Sequence, residues 1–319
     1  MISNDKANTT LPRIVFLGTP DFAVASLKAL IEAGFQVVAV VTAPDKPAGR
    51  GMQLQETAVK KFATLHQIPV LQPEKLKNPD FLAQLRSYDA DLQVVVAFRM
   101  LPEVVWNMPP LGTINVHGSL LPQYRGAAPI NWALINGENQ TGVTTFRLKH
   151  EIDTGDMLLQ QVLPVGPNET AGELHDRMKE AGASLLVTTL HTLANGKLSP
   201  KPQPPMEQHL KHAPKIFTET CRINPSQTCL QVHNHIRGLS PYPGAFFYLD
   251  GKMLKIFKAL PAADMPATPD AGNFYSDGKN RLALACADGW LDLLEVQLEG
   301  KKRMQTNDFL RGYRLKNLV

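Results

Sequence analysis

Apolar residues in the first half of the chain recur with two different periods. RIVFLG (13–18), QVVAVVT (36–42), IPVLQ (68–72), DLQVVVAF (91–98) and GTINVH (112–117) are short runs rich in β-branched residues, the pattern of buried strands. Between them, AVASLKALIEAG up to Gly34, QETAVKKFATLH (55–66) and FLAQLRSY (81–88) repeat their apolar positions at helical spacing. Strands alternating with helices predict βαβ units: a Rossmann-like, mostly parallel α/β sheet with helices on both faces. TGVTTFRL (141–148) and DMLLQQVLPV (156–165) predict further strands around an acidic turn, and ELHDRMKEAGASLLVTTLHTLANG (173–196) a long helix stopped by Asn-Gly.

The texture then changes. KLSPKPQPPMEQ (197–208) contains four prolines and little apolar content, so it reads as an extended connector. After a helical stretch around 226–237, three segments follow: AFFYLDGKMLKIFKAL (245–260), NFYSDGKNRLALAC (273–286) and CADGWLDLLEVQLEG (286–300). Each sets an Asp-Gly beside strand-type residues, a strong hairpin signal. Short strands joined by tight turns predict a small C-terminal β-barrel, OB-like or SH3-like by composition. The expected domains are 1–196, a linker 197–208, and 209–319.

Composition narrows the class. With 319 residues and 44% hydrophobic content, the chain can bury two cores. No run approaches the roughly 18 apolar residues of a membrane span, and MISNDKANTT is polar where a signal peptide is apolar, so a cytoplasmic protein is expected. Three cysteines, widely spaced, predict reduced thiols rather than a disulfide framework. Cys221 and Cys229 precede His233 and His235, but C-x7-C-x3-H-x-H matches no usual zinc spacing, and no metal site is expected. The net charge of +4 is uneven: residues 211–319 hold 15 Lys and Arg against 10 Asp and Glu. Such asymmetry fits a solvated basic face or a polyanionic partner.

One stretch carries chemistry. INVHGSLLPQYRGAAPI (114–130) begins where a parallel strand is predicted to end, and period two turns Asn115 and His117 to one face. In open α/β sheets ligands bind at the carboxyl ends of strands. The first strand-to-helix turn lacks G-x-G-x-x-G, so a dinucleotide is not the ligand. An isolated N-x-H is most simply a capping Asn with a satisfied His. Here it continues into S-L-L-P and R-G-A-A-P-I, and HEIDTGDML (150–158) follows with Asp153 in a glycine turn. Together Asn115, His117 and Asp153 supply an oxyanion stabiliser, a second stabiliser or acid, and a carboxylate to take or relay a proton.

NVHGSLLPQYRGAAPI with the later IDTGDML resembles the folate-dependent formyltransferases. The resemblance extends to FLGTPDFAV near the start, PDKPAGRG (44–51) and GLSPYPGAF (238–246), and so spans nearly the whole chain. It implies catalytic roles for Asn115, His117 and Asp153, and tetrahydrofolate binding by Ser119, Leu120, Leu121 and Pro122. It further implies 10-formyltetrahydrofolate as cosubstrate with no metal, and, from the RGAAPI ending, methionine esterified to initiator tRNA as acceptor. PDKPAGRGMQLQ is longer than a βα connection needs. The resemblance makes it a flexible basic finger for the tRNA acceptor end, with Lys46 and Arg50 as the contacts. The C-terminal barrel, with Lys252, Lys255, Lys258, KKR (301–303) and RGYRLK (311–316), would bind tRNA phosphates. Arg125 reads as a loop tie, no membrane partner is expected, and a monomer is the expectation.

Two rival readings remain open at this point. One is a formyltransferase acting on a small amine, glycinamide ribonucleotide or an amino sugar nucleotide; the other is a non-catalytic RNA-binding protein. The chain also departs from the family pattern at VVVAFRMLPE (94–103), where Arg99 stands near a usual glycine beside the expected folate pocket.

Overall fold

The β-branched runs gather into one seven-stranded sheet in the computed structural model, which describes residues 11–48, 53–204, 209–263, 265 and 270–314. Arg13–Gly18, Gln36–Val41, Val70–Leu71, Leu92–Val96 and Thr113–His117 pair in parallel. Gln140–Arg147 and Met157–Pro164 extend the sheet, giving the order 157–164, 140–147, 113–117, 92–96, 13–18, 36–41, 70–71. The 140–147 strand runs antiparallel to 113–117, with Phe146 opposite Asn115 and Thr144 opposite His117.

Leu92–Val96 is buried at every position, as a central strand covered on both faces must be. One face presents Val15, Leu17, Val41 and Val95 to Phe81 and Leu85 of helix Pro79–Ser87 and to Val105 of helix Glu103–Trp106. Asn115, paired with Val95, lies on that face; Val116, paired with Val96, lies on the other. There the long helix Ala171–Ala194 comes so close that a Cβ added to Gly182 would stand 3.0 Å from Val116. Helices therefore cover both faces.

Some element boundaries follow capping chemistry rather than apolar spacing. Helix Ala58–Leu65 starts after position 55 because Thr57 caps it, accepting from Lys60 N at 3.0 Å. Gln55 belongs instead to a two-stranded ribbon, Lys46–Ala48 with Gln53–Gln55. Helix Cys229–Gly238 begins after the Thr228–Gln231 capping box. Helix Pro129–Ile135, too short to show a period, opens on Pro129.

The second sheet is antiparallel, in the order Ala245–Leu249, Lys252–Pro261, Gly289–Leu298, Leu282–Cys286, Phe274–Ser276, with Met304–Gln305 against 289–298. All three Asp-Gly pairs fall at strand reversals. Asp250 and Gly251 both have positive φ, 49° and 79°, the backbone a two-residue hairpin turn requires. Register shifts around Lys258 bend the 252–261 strand. The resulting half-barrel shares its core with Val232 and Ile236 of helix 229–238.

By contact, the described residues fall into two compact units. One lies within Met1–Arg125, Gly142–Leu163 and Asp176–Leu210, the other within Gly126–Thr141, Pro164–His175 and Lys211–Val319. The second unit takes up the 129–135 helix because Asn131 donates to Gly238 O at 2.7 Å and a Cβ on Gly238 would meet Ile135 at 2.7 Å. Every residue of the site described next belongs to the first unit.

Gly155 closes the turn after the 140–147 strand, and a Cβ there would stand 1.6 Å from the carbonyl oxygen of Arg147. Gly155→Ala is expected to lower stability by about 2 kcal/mol or more, read as the urea midpoint; an unchanged midpoint contradicts this packing.

Candidate active site

Strand pairing sets the site's floor. Asn115 and His117 point to the same face of the 113–117 strand, and Phe146 of the neighbouring strand stands edge-on to the His117 ring at 6.4 Å. Asn115 is half-buried and its amide makes no hydrogen bond to the described residues, leaving it available to a ligand. His117 is 7% exposed. Its Nε2 lies 2.9 Å from the carbonyl oxygen of Tyr124, so Nε2 carries a proton and donates. Nδ1 is then the nitrogen facing the site.

What faces Nδ1 is Asp153. The 140–147 strand ends beside Ile114, at the start of the 113–117 strand, so the following turn has to travel back over the sheet face to reach His117. It does so: Asp153 Oδ2 lies 3.8 Å from His117 Nδ1, with the carboxylate side chain 12% exposed. Both residues that fix the imidazole's surroundings hold left-handed backbone, Tyr124 at φ 59° and Asp153 at φ 54°. Such non-glycine residues cost on the order of 1–3 kcal/mol each and persist only where neighbours over-determine them.

The Ser119–Pro122 corner is built from inside. Ser119, fully buried, donates to Gln123 O at 2.6 Å. Thr144, next to His117 across the strand pair, donates to Ser119 O at 2.7 Å and accepts from Leu121 N at 3.2 Å and Gln160 Nε2 at 2.9 Å. Gln160 also donates to Leu121 O at 2.9 Å. The polar atoms of Ser119 and Leu121 are thus spent on shape, and Leu120, half-buried beside them, is part of the wall the corner offers. Thr144 and Gln160 escape sequence reading because they act on backbone atoms of another segment, and Tyr124 because it acts through its own carbonyl.

Arg125 is 9% exposed and donates through Nε and a terminal nitrogen to Gln203 Oε1 at 3.0 and 2.6 Å. Arg99 is exposed and turned to the backbone carbonyls of Pro73 and, at 2.8 Å, Glu74.

Lys46 is exposed on the 46–48 ribbon strand, while Arg50 lies outside the described residues. The ribbon is anchored at its base. Asp45 accepts from Lys60 at 2.5 Å and Gln72 at 2.7 Å, bonds that hold its carboxyl below the ordinary range.

In the second unit Lys252, Lys258, Lys301 and Lys302 are exposed. Arg303 is not free: it grips Glu295 at 2.7 and 2.6 Å and lies 4.3 Å over the Phe257 ring. Cys221, Cys229 and Cys286 are buried free thiols, and burial with a bond to Asp288 pushes Cys229 up to about 11. His233 turns its two ring nitrogens to Ala259 O at 2.8 Å and Pro167 O at 3.1 Å.

An amide, an imidazole and a carboxylate converge on one half-buried spot, with the Ser119 and Thr144 hydroxyls bonded away. That arrangement suits direct transfer of a carbonyl group, polarised at oxygen and relieved of a proton, without a covalent enzyme intermediate: the fold and site define a group-transfer enzyme on a Rossmann-like sheet. More narrowly, the chain belongs to the formyl transferase family. The family model "Formyl transferase" matches residues 12–190 and "Formyl transferase, C-terminal domain" residues 215–314. Among curated relatives, a methionyl-tRNA formyltransferase of Bacteroides fragilis is 51% identical over 312 residues, covering 95% of each chain. One of Parabacteroides distasonis is 52% identical over 311 residues, covering 95% and 96%. Solved structures share the fold at lower identity. The sugar 3N-formyl transferase WlaRD has a TM-score of 0.66 at 20% identity, over 92% of this chain and 100% of that one. HypX of Aquifex aeolicus in complex with tetrahydrofolic acid has 0.63 at 19%, over 96% and 49%. No helix among the described residues is long and apolar enough to cross a membrane.

Thr144→Val keeps the volume and removes the hydroxyl that three groups share. It is expected to cost about 1–3 kcal/mol in chemical denaturation; a loss under about 0.5 kcal/mol would mean the Ser119–Pro122 corner is held by other means.

Proposed function

We infer that this protein transfers the formyl group of 10-formyltetrahydrofolate to the α-amine of methionine esterified to initiator tRNA, in the cytoplasm, for translation initiation. The observation that carries this reading is identity above one half, over 95% of the chain, with relatives named methionyl-tRNA formyltransferase. Sugar formyltransferases and a glycinamide ribonucleotide transformylase resemble the chain only at 18–20% identity, which bears on the fold and not on the acceptor.

The chemistry follows from which atoms donate and which accept. The neutral amine attacks the formyl carbon, a new C–N bond forms, and the carbonyl oxygen takes up the electron pair. Asn115 donates its amide hydrogens to that oxyanion. His117 turns Nδ1 to the same spot, 3.8 Å from the Asp153 carboxylate, and with Nε2–H held by Tyr124 O it stabilises the oxyanion from Nδ1 when that nitrogen carries a proton. Asp153 takes the proton shed by the amine and passes it to the departing folate nitrogen as the old C–N bond breaks. Ser119, Leu120, Leu121 and Pro122 form the wall that holds the folate. No metal is required, because the formyl group arrives already activated on its carrier.

Lys46, on the ribbon, and Arg50 contact the acceptor end of the tRNA, and residues 209–319 bind its phosphates through exposed lysines such as Lys301 and Lys302. Such contacts give affinity and orientation rather than sequence reading.

Single-turnover formyl transfer, acid-trapped, is expected to slow by about two orders of magnitude or more in Asp153→Asn and in His117→Ala. Rates within about threefold of the parent would remove these residues from the chemistry. Arg50→Ala and Lys46→Ala are expected to raise the tRNA KM while folate binding stays unchanged; normal tRNA kinetics in both would remove the ribbon from the tRNA site.

A further inference from the structure

Proline-rich sequence between two domains suggests nothing more than a spacer, yet residues 201 and 203 of the 197–208 segment make the most directed contacts behind the Asp153 turn. Lys201 forms a two-way backbone bridge with Met157, each N–H reaching the other's carbonyl at 2.8 Å. Two residues on, the Gln203 amide nitrogen donates to Asp153 O and to Gly155 O, both at 2.8 Å. Its oxygen accepts two hydrogens from the buried Arg125 guanidinium at 3.0 and 2.6 Å. The side chain is saturated: two donors and one oxygen, all used, with a full positive charge polarising the amide toward the turn.

The geometry explains why the turn needs this. It crosses the sheet face from the Arg147 end to His117, and Asp153 sits there at φ 54°, left-handed backbone that carries an energetic cost for a residue with a side chain. Bonds local to the turn lie elsewhere: Thr154 donates to Glu151 O at 3.0 Å and Arg147 N to Asp156 O at 3.0 Å. From outside the turn, Gln203 donates to the Asp153 carbonyl. Arg125, in turn, follows Tyr124, whose carbonyl orients the His117 ring. One chain of contacts therefore runs from the imidazole's support, through Arg125 and Gln203, to the backbone of the residue facing that imidazole.

We propose that Gln203 is a positioning residue for formyl transfer: polarised by Arg125, it holds the Asp153 backbone so that the carboxylate meets His117. This rests on the proton-transfer reading of Asp153 above. Gln203 touches neither substrate and acts only through Asp153, so its removal costs rate without costing affinity.

The test is a set of full-length variants: Gln203→Glu, which keeps an acceptor for Arg125 but has no N–H for the two carbonyls, and Gln203→Met, which keeps the volume and loses both. Each is made in the parent and in Asp153→Asn, with single-turnover rates, both KM values and Tm measured. In the parent, both variants are expected to lose about ten- to a hundredfold in rate, with KM for folate and tRNA within about twofold and a cooperative melt retained. In Asp153→Asn the same substitutions are expected to cost less than about twofold more, because the group they position is already gone. Parent-like rates in both Gln203 variants, beside a slow Asp153→Asn, would overturn the proposal and leave the Asp153 reading intact. Losses that multiply in the Asp153→Asn background would overturn it as well, marking a general structural role. A parent-like rate in Asp153→Asn itself would overturn the underlying reading, and this proposal with it.

Discussion

Everything in the first unit's site depends on a turn being held across the face of a sheet. The 3.8 Å approach of Asp153 to His117 joins residues that neither pairing register nor local sequence brings together. The 140–147 strand delivers its end at Ile114, and the chain must return over the face before the carboxylate can meet the ring. A carboxylate and an imidazole this close are worth having only if both are fixed. The ring is fixed by Tyr124 O on Nε2, and the carboxylate by a backbone in left-handed conformation. Neither support would survive in a site that repacks freely, which is why both are locked by buried polar contacts rather than by surface ones.

The surrounding structure supplies rigidity of two kinds. The parallel strands, apolar on both faces, hold Asn115 and His117 in register with the sheet. Hydrogen bonds from Thr144 and Gln160 shape the Ser119–Pro122 corner without using the surface it offers to a ligand. A pre-shaped wall beside a pre-placed donor and acceptor is what transfer without a covalent intermediate needs, since catalysis then comes from orientation and fixed dipoles.

Much of this is legible in the residues. Alternation along the strand is enough to place Asn115 and His117 on one face, and β-branched runs reveal the five parallel strands. Asp-Gly pairs mark the reversals of the half-barrel. Other features stay silent for identifiable reasons. Helix 129–135 is too short for a period to show. Thr57 and Thr228 trim two helices by capping, a local hydrogen bond that apolar spacing does not encode. KKR (301–303) reads as uniform positive charge, although Arg303 is bound to Glu295 and Phe257. Gln203 is the hardest to see: its targets are main-chain oxygens 50 and 48 residues away, which leave no side-chain signature at either end.

The most direct measurement of the His117–Asp153 apposition is a double-mutant cycle, comparing single-turnover formyl transfer in His117→Ala, Asp153→Asn and the double variant. Two groups acting as one unit lose their function once, so the double variant is expected within about tenfold of the slower single. Rates that fall as the product of the two single losses would mean that imidazole and carboxylate work independently, and that their meeting has no part in the reaction.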